Sequence, residues 1–329
     1  MRAPFRLILA GVLSALCADA RAADKVRVTI PVFSEVDYAP FYLGTDKGYF
    51  AEEGLEVELV GAGGGVATPA LISGDVQFSG SPSAAISAIL KGAPLKIIYV
   101  MRDRPPYQLW ASDPAIKTLA DLKGKQVGVV SRGDTHENSV RLLLMAQHLD
   151  PNSVAFTALG FGTGRVAALN AGALPAASLT IEDVEQLKRT PNQHMLADTG
   201  RQVQMLVGGI AVNDRMLKDE RPLAARFLRA LLKGTRYMRA NEAGTVAAML
   251  THNPNVPRAT VEKLYGELVP GNTADGTLPP GVQKAMLDLY ADVLAMPHDK
   301  ERPIADAFDF SLLAEVDRGL DASGWKPGP

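Results

Sequence analysis

The sequence predicts an α/β fold built as two lobes, and three observations predict it. Short apolar runs alternate with helical stretches of roughly ten to fifteen residues, the pattern of mostly parallel sheets covered by helices. The 329 residues exceed one average domain. Finally, Ala70-Leu71-Ile72-Ser73-Gly74 is echoed by Ala168-Leu169-Asn170-Ala171-Gly172. Each reads as a helix end running into a short strand, as two similar lobes require.

The elements follow in order. Val26, Val28 and Ile30 alternate with polar residues, so Lys25 to Val32 reads as a strand. Pro40 suits the first turn of a helix through Phe50, and Gly54 closes the turn after it. Leu55 to Val60 is a strand, Val66 to Ser73 a helix stopped by Gly74, and Val76 to Ser79 a short strand. Ser81-Pro82 is a helix start, with Ser as N-cap, and that helix ends at Gly92. Leu95 to Met101 is a buried strand. Beyond the charged, proline-rich stretch 102–106, Gln108 to Ala111 reads as a crossover strand. A second unit follows: strand 126–130, helix 134–149, strand 154–159, helix 163–171 and strand 176–179. Met205 to Val212 returns the chain, which is mostly helical from Asp214 onward.

The N-terminus reads as an export signal. Arg2 and Arg6 precede an apolar run from Leu7 to Leu16, too short to span a bilayer. Ala20-Arg21-Ala22 supplies small residues for cleavage before Ala23, so residues 1–22 are expected to be removed. Cys17 raises a lipoprotein alternative, opposed by the bulky Leu16 before it. Cys17 is also the one cysteine, so the mature chain is expected to hold no disulfide, thiolate metal site or cysteine nucleophile. Such a chain suits an oxidising periplasm. Cleavage leaves 31 Lys+Arg against 35 Asp+Glu and moves the net charge from −2 to −4, which gives no broad basic field for nucleic acid. No other window is apolar for long enough to cross a membrane.

Enzyme signatures are weak or absent. Gly162-x-Gly164-x-x-Ala167 with Glu182 downstream formally matches a dinucleotide fingerprint, but an exported protein rarely meets that cofactor. There is no Gly-x-Ser-x-Gly elbow, and the five histidines are scattered. No catalytic residue, metal or cofactor is therefore expected. Arg226, Arg229, Lys233 and Arg236 recur at helical spacing and read as a solvated face, with docking on a membrane permease or acidic partner as the alternative.

Several segments carry a family resemblance. They are Ala39-Pro-Phe-Tyr-Leu-Gly44, Lys47-Gly-Tyr-Phe50, Glu53-Gly-Leu-Glu-Val-Glu58, Ala70 to Val76, the turn at 79–81, Ala120 to Val129 and Ser131 to Thr135. Together they resemble the periplasmic substrate-binding proteins of ABC transporters. The branch is the NMT1/THI5-like group of sulfonate, nitrate and pyrimidine-precursor receptors. The resemblance covers roughly residues 26–215. The family's usual Asp-Ala pair after the glycine at 172 is Ala173-Leu174 here, and the cysteine-rich stretch of the pyrimidine-synthase relatives has no counterpart. The resemblance implies a type II periplasmic binding protein with a two-strand hinge and a ligand cleft between lobes. Lobe I would hold 23–103 plus 206–329, and lobe II 104–205. It implies a monomeric receptor that delivers a small organic solute, such as a sulfonate or carboxylate, to an ABC permease. The alternative is an exported sensor or enzyme on the same fold acting on a pyrimidine or aromatic precursor.

Ligands of open parallel sheets bind beyond the carboxyl ends of strands, so the polar turns after strands are the candidates. Ser34 to Tyr38 follows the first strand. Tyr38, beside Ala39, offers a ring and a hydroxyl, or simply packs. Gly64, in the glycine turn 61–65, lets backbone approach a ligand, or serves a flexible turn. Ser79 and Ser81 flank Gly80, and the Ser81 hydroxyl either caps its helix or also reaches a ligand. Across the cleft stand Ser131, Arg132 and Thr135. Arg132 could grip a carboxylate or sulfonate in bidentate fashion, although Asp134 and Glu137 beside it disfavour an anion. Thr135 or His136 would serve a polar or amine-bearing ligand. Thr180 either caps its helix or binds, and Tyr107 and Phe161 could wall the site for an aromatic acid.

Overall fold

A computed structural model describes residues 22–31, 36–160, 163–187, 191–297 and 303–328. Its strands are β1 (Asp24–Ile30), β2 (Leu55–Gly61), β3 (Phe78–Ser79), β4 (Leu95–Arg102), β5 (Gln108–Ala111), β6 (Gln126–Val129), β7 (Ala155–Ala158), β8 (Ala176–Leu179), β9 (His194–Asp198) and β10 (Val207–Asn213). They form two five-stranded sheets, ordered β2-β1-β3-β10-β4 and β7-β6-β8-β5-β9. Each sheet anchors one lobe. Position by position the two orders match, so the echoed segments precede equivalent strands, β3 and β8. Gly74 and Gly172 both take left-handed backbone at those helix ends (φ 88° and 67°), which explains why each is glycine.

The sheets are mixed where mostly parallel ones were expected. β1 runs parallel to β2 and β3, and β6 parallel to β7 and β8. β10 is antiparallel to β3 and β4, and β5 to β8 and β9. The reversed strand in each sheet is the one that arrives from the other lobe, so it enters from the opposite end. β9, an edge strand, carries no strong alternation and escaped the sequence reading.

The helices are α1 (Ala39–Asp46), α2 (Tyr49–Glu52), α3 (Gly64–Ser73), α4 (Pro82–Leu90), α5 (Thr135–Ala146), α6 (Gly164–Asn170), α7 (Ile181–Glu185), α8 (Thr199–Gln202), α9 (Asp214–Lys218), α10 (Arg221–Ala240), α11 (Glu242–His252), α12 (Arg258–Leu268), α13 (Pro280–Val293) and α14 (Ser311–Ala322). The helix expected through Phe50 breaks at Gly48, whose φ of 76° leaves the right-handed region. α10 packs Phe227 face to face on Phe78, with ring centroids 3.8 Å apart, and this anchors the first lobe's core. Its basic stripe is not a solvated face. Arg226 pairs with Asp24, Arg229 with Glu53, Lys233 with Glu52, and Arg236 with Asp317 and Asp321. The stripe therefore clamps α10 to β1, α2 and α14. No described helix is long and apolar enough to cross a membrane.

Candidate binding site

A cavity of about 210 Å³ lies between the lobes. Its walls are the turns at the carboxyl ends of β1, β2, β3 and β6, joined by Tyr107 and by Val207-Gly208 where the chain crosses between lobes. This is where loops after parallel strands converge.

Two helices of the first lobe open onto the cavity uncapped. α3 begins at Gly63–Gly65 with no side-chain cap, and α4 begins behind Ser81 with none. Their first N–H groups have no partner within their own helix, so each end favours an acceptor or a negative charge. The two helices touch closely: a Cβ on Gly64 would overlap that of Ala84. Gly80 is held as tightly, since its Cβ would fall 2.7 Å from the Thr29 carbonyl. Ser81 takes the N-cap position but does not cap. Its Oγ is buried, without a hydrogen-bond partner among the described residues, in a residue that lines the cavity. Tyr38 is buried and donates its hydroxyl to the Gly80 carbonyl at 3.1 Å, which fixes its ring as wall. Asp37 also lines the cavity, but Arg102 neutralises it through bonds of 2.8 and 3.2 Å.

The second lobe presents a different surface. Asp134 caps α5, accepting from the N–H of Glu137 at 2.9 Å and of Ser131 at 2.8 Å. Burial pushes its carboxyl up to about 6, against the pull of those N–H bonds. Glu137 is buried and holds two arginines, Arg132 at 2.8 Å and Arg141 at 2.7 Å. Arg132 also donates to the Phe156 carbonyl at 3.2 Å. Its guanidinium is thus engaged before any ligand arrives. Tyr107 stacks on His136, with centroids 3.8 Å apart, and shares a 2.8 Å hydrogen bond with Thr135. The His136 Nδ1 lies 3.0 Å from the Ser178 hydroxyl. Burial, helped by the charge of Arg165, holds His136 well below the ordinary imidazole value, so the ring is neutral at pH 7.

Of the candidates, Tyr38, Gly64, Ser81, Ser131, Arg132 and Thr135 line this one cavity, as do Tyr107 and His136. Ala39, Ser79 and Thr180 do not. Ala39 is buried in the first lobe's core. Ser79 sits in β3, where its hydroxyl accepts from Thr29 at 3.2 Å and from the Ser81 N–H at 3.3 Å. Thr180 and Asp183 cap α7 reciprocally, and Asp183 also pairs with buried Arg165. Ser34 and Phe161 lie outside the described residues. Sequence reasoning missed Asp37, Ser83 and Val207-Gly208. One signal was available: two glycines inside a strand pattern mark a bulge or a close backbone approach. Gly208 and Gly209 have φ of 64° and 145°.

Comparison with known proteins bears on the family and the fold. A family profile described as "NMT1/THI5 like" matches residues 35–244. The riboflavin-binding protein RibY of Chloroflexus aurantiacus is 24% identical over 217 residues, covering 64% of this chain and 61% of that protein. A solved structure from Bordetella bronchiseptica RB50 superposes with a TM-score of 0.73 at 22% identity, covering 92% of this chain and 98% of that one. The alkanesulfonate-binding protein SsuA of Xanthomonas axonopodis pv. citri, bound to MOPS, superposes with a TM-score of 0.68 at 19% identity, covering 88% and 99%. At such identities the two structures establish the shared fold.

Proposed function

This chain belongs to the NMT1/THI5-like family, and on that premise we propose that it is an extracytoplasmic solute receptor. It holds a small organic molecule in the cleft by lobe closure and passes it unchanged to an ABC-type permease. The carrying observation is the Ser81 hydroxyl, buried and unpartnered at the cavity wall. A buried hydroxyl left without a partner is costly, and a bound acceptor relieves that cost.

The two walls suggest which way the solute lies. An anionic or acceptor-rich head, such as a carboxylate or sulfonate, faces Ser81 and the uncapped starts of α3 and α4. A flat, uncharged body lies toward Tyr38 and the Tyr107–His136 side. Arg132 contributes less than its charge suggests, because its guanidinium is already engaged by Glu137 and the Phe156 carbonyl. The cavity is small beside the roughly 300–1,000 Å³ of drug-sized sites, which favours a solute of one ring or a short chain. The alkanesulfonate named for one relative is of that size, whereas the riboflavin named for another, with three fused rings, is larger. The same reading places the mature protein in the periplasm as a monomer, with residues 1–22 removed. Lobe I holds 23–103 and 206–329, and lobe II holds 104–205. The second reading, a sensor or enzyme acting on a pyrimidine or aromatic precursor, has one feature in its favour: a neutral imidazole, His136, at the cavity wall.

A thermal-shift screen of purified protein separates the readings. The panel holds alkyl sulfonates, nitrate, aromatic carboxylates, pyrimidines, flavins and amines. A true ligand at a hundred times its Kd adds about 2.7 kcal/mol to stability. One chemical class of hits, recovered intact, supports the receptor. A flat panel, or a hit consumed on incubation, sinks it.

A further inference from the structure

One buried hydrogen-bond chain, not used by the binding site itself, spans the two lobes behind the cavity. At its centre is Tyr290 on α13, 1% exposed. Burial pushes its phenol well above the ordinary value, so it stays protonated. The Asn138 amide nitrogen donates to the Tyr290 oxygen at 2.8 Å and to the Gly133 carbonyl at 3.1 Å. The Ser83 side chain works against the rise in the phenol's value, as does Asn138. The Ser83 hydroxyl donates to the Leu206 carbonyl at 3.4 Å.

The direction of the chain is forced. A carbonyl only accepts and an amide nitrogen only donates. Hydrogens therefore run from Asn138 to both Tyr290 and Gly133, and from Ser83 to Leu206. Gly133 and Ser83, near the two ends, both line the cavity, one from each lobe. The apolar packing follows the same path. A single buried cluster takes in Ile86 of α4, Leu287 of α13 and Val140 of α5.

We propose that Tyr290 is a positioning residue whose hydroxyl sets the separation of the two cleft walls before a solute arrives. A helix of the C-terminal third, far from the ligand turns in sequence, then decides how far open the cleft stands. Removing the hydroxyl strands a buried Asn138 N–H and leaves this side of the cleft joined by the crossing segments and apolar contact, with the Lys263–Glu185 ion pair as a further link between the lobes. The proposal takes its meaning from the receptor reading, but its test needs no ligand.

Cys17 is the one cysteine, so a Cys17→Ser background accepts a pair of spin labels. Lys91→Cys on the first lobe and Gln147→Cys on the second are both exposed. Inter-label distances are then measured on the ligand-free full chain. Tyr290→Phe keeps the ring and the packing. The expected result is a distribution broader than the parent's, with an added population at another separation. Asn138→Ala breaks the chain from its other end and gives the same broadening. Tyr265→Phe is the control, because its hydroxyl bonds the Met238 carbonyl at 2.6 Å within the first lobe. It lowers the melting temperature and leaves the distances unchanged. Superimposable distributions for Tyr290→Phe and the parent overturn the proposal, as does equal broadening by Tyr265→Phe. A solute screen that finds no ligand leaves these distances untouched, so the two failures are distinguishable.

Discussion

Ser81 and Thr180 occupy the same place in two copies of one topology. Each follows the middle strand of its sheet, β3 or β8, and heads the next helix. Three residues on, the second lobe has Asp183 and the first has Ala84. Asp183 completes a reciprocal cap, so Thr180 is satisfied by its own helix and lies away from the cavity. Ala84 has no oxygen to return, and its methyl instead lets α3 approach through Gly64. Ser81 is left unpaired beside the cavity. One position in the repeat thus serves stability in one lobe and an open hydrogen bond in the other.

Four experiments break or sharpen that contrast, from the largest effect down. Asp183→Ala removes the cap and leaves Arg165, 1% exposed, as an unpaired buried charge. Urea unfolding is expected to show a loss of about 3–5 kcal/mol. A loss below about 1 kcal/mol would mean that the pair does not hold the second lobe.

The second experiment concerns Asp134, the carboxyl that caps α5 at the cavity. Its folded value is raised from 3.8 to about 6, so between those values the folded chain holds a proton that the unfolded chain has lost. Its contribution to stability therefore falls as pH climbs from about 4 to about 6, then levels off. Asn keeps one acceptor, for the Glu137 N–H, and loses the one that the Ser131 N–H uses. Asp134→Asn is therefore expected to be less stable than the parent at pH 4 and to gain on it by something on the order of 2 kcal/mol by pH 7. Urea midpoints across that range test this, and parallel pH profiles for the two proteins would remove Asp134 as the cause.

Third, Ala84→Asp gives the first lobe the second lobe's cap. It ties up Ser81 and sets a negative charge where the solute head belongs. Affinity for a screened ligand is expected to fall at least roughly tenfold. Unchanged affinity, by calorimetry, would dismiss the Ser81 assignment.

The smallest effects form a matched pair. Ser81→Ala is expected to weaken binding about fivefold while raising the stability of the ligand-free protein by about 1 kcal/mol. Thr180→Ala is expected to lower stability by about 1 kcal/mol with affinity unchanged. If both lose stability and neither loses affinity, the two positions do the same job and the contrast is void.

Much of the fold was legible because local signals agreed with it. Pro40 and Pro82 open helices, Gly74 and Gly172 close them, and the segments at 70–74 and 168–172 precede equivalent strands. β9 was not legible, since its residues are only half-buried and show little alternation. Of the candidate binding residues, those in the turns after β1, β2, β3 and β6 converged on the cavity, and Thr180, after β8, did not. Ser79 was too early by one turn, held inside β3. Arg132 was legible as a cation but not as an engaged one, because the carboxylate it meets, Glu137, also accepts from Gly133 and grips Arg141 in the same cluster.

By itself the sequence determined the α/β alternation, the repeat and the turns that line the cavity. These depend on apolar period, on glycine and proline conformations and on contacts a few residues apart. Only the tertiary structure decided which polar groups remain available. Whether a hydroxyl binds a ligand or its own helix turns on one neighbour three residues away. Whether an arginine carries free charge depends on a carboxylate buried beside it, and how the lobes stand depends on a tyrosine on α13. Burial and pairing are properties of packed space, and packing brings Tyr290 to Asn138 across 152 residues of chain.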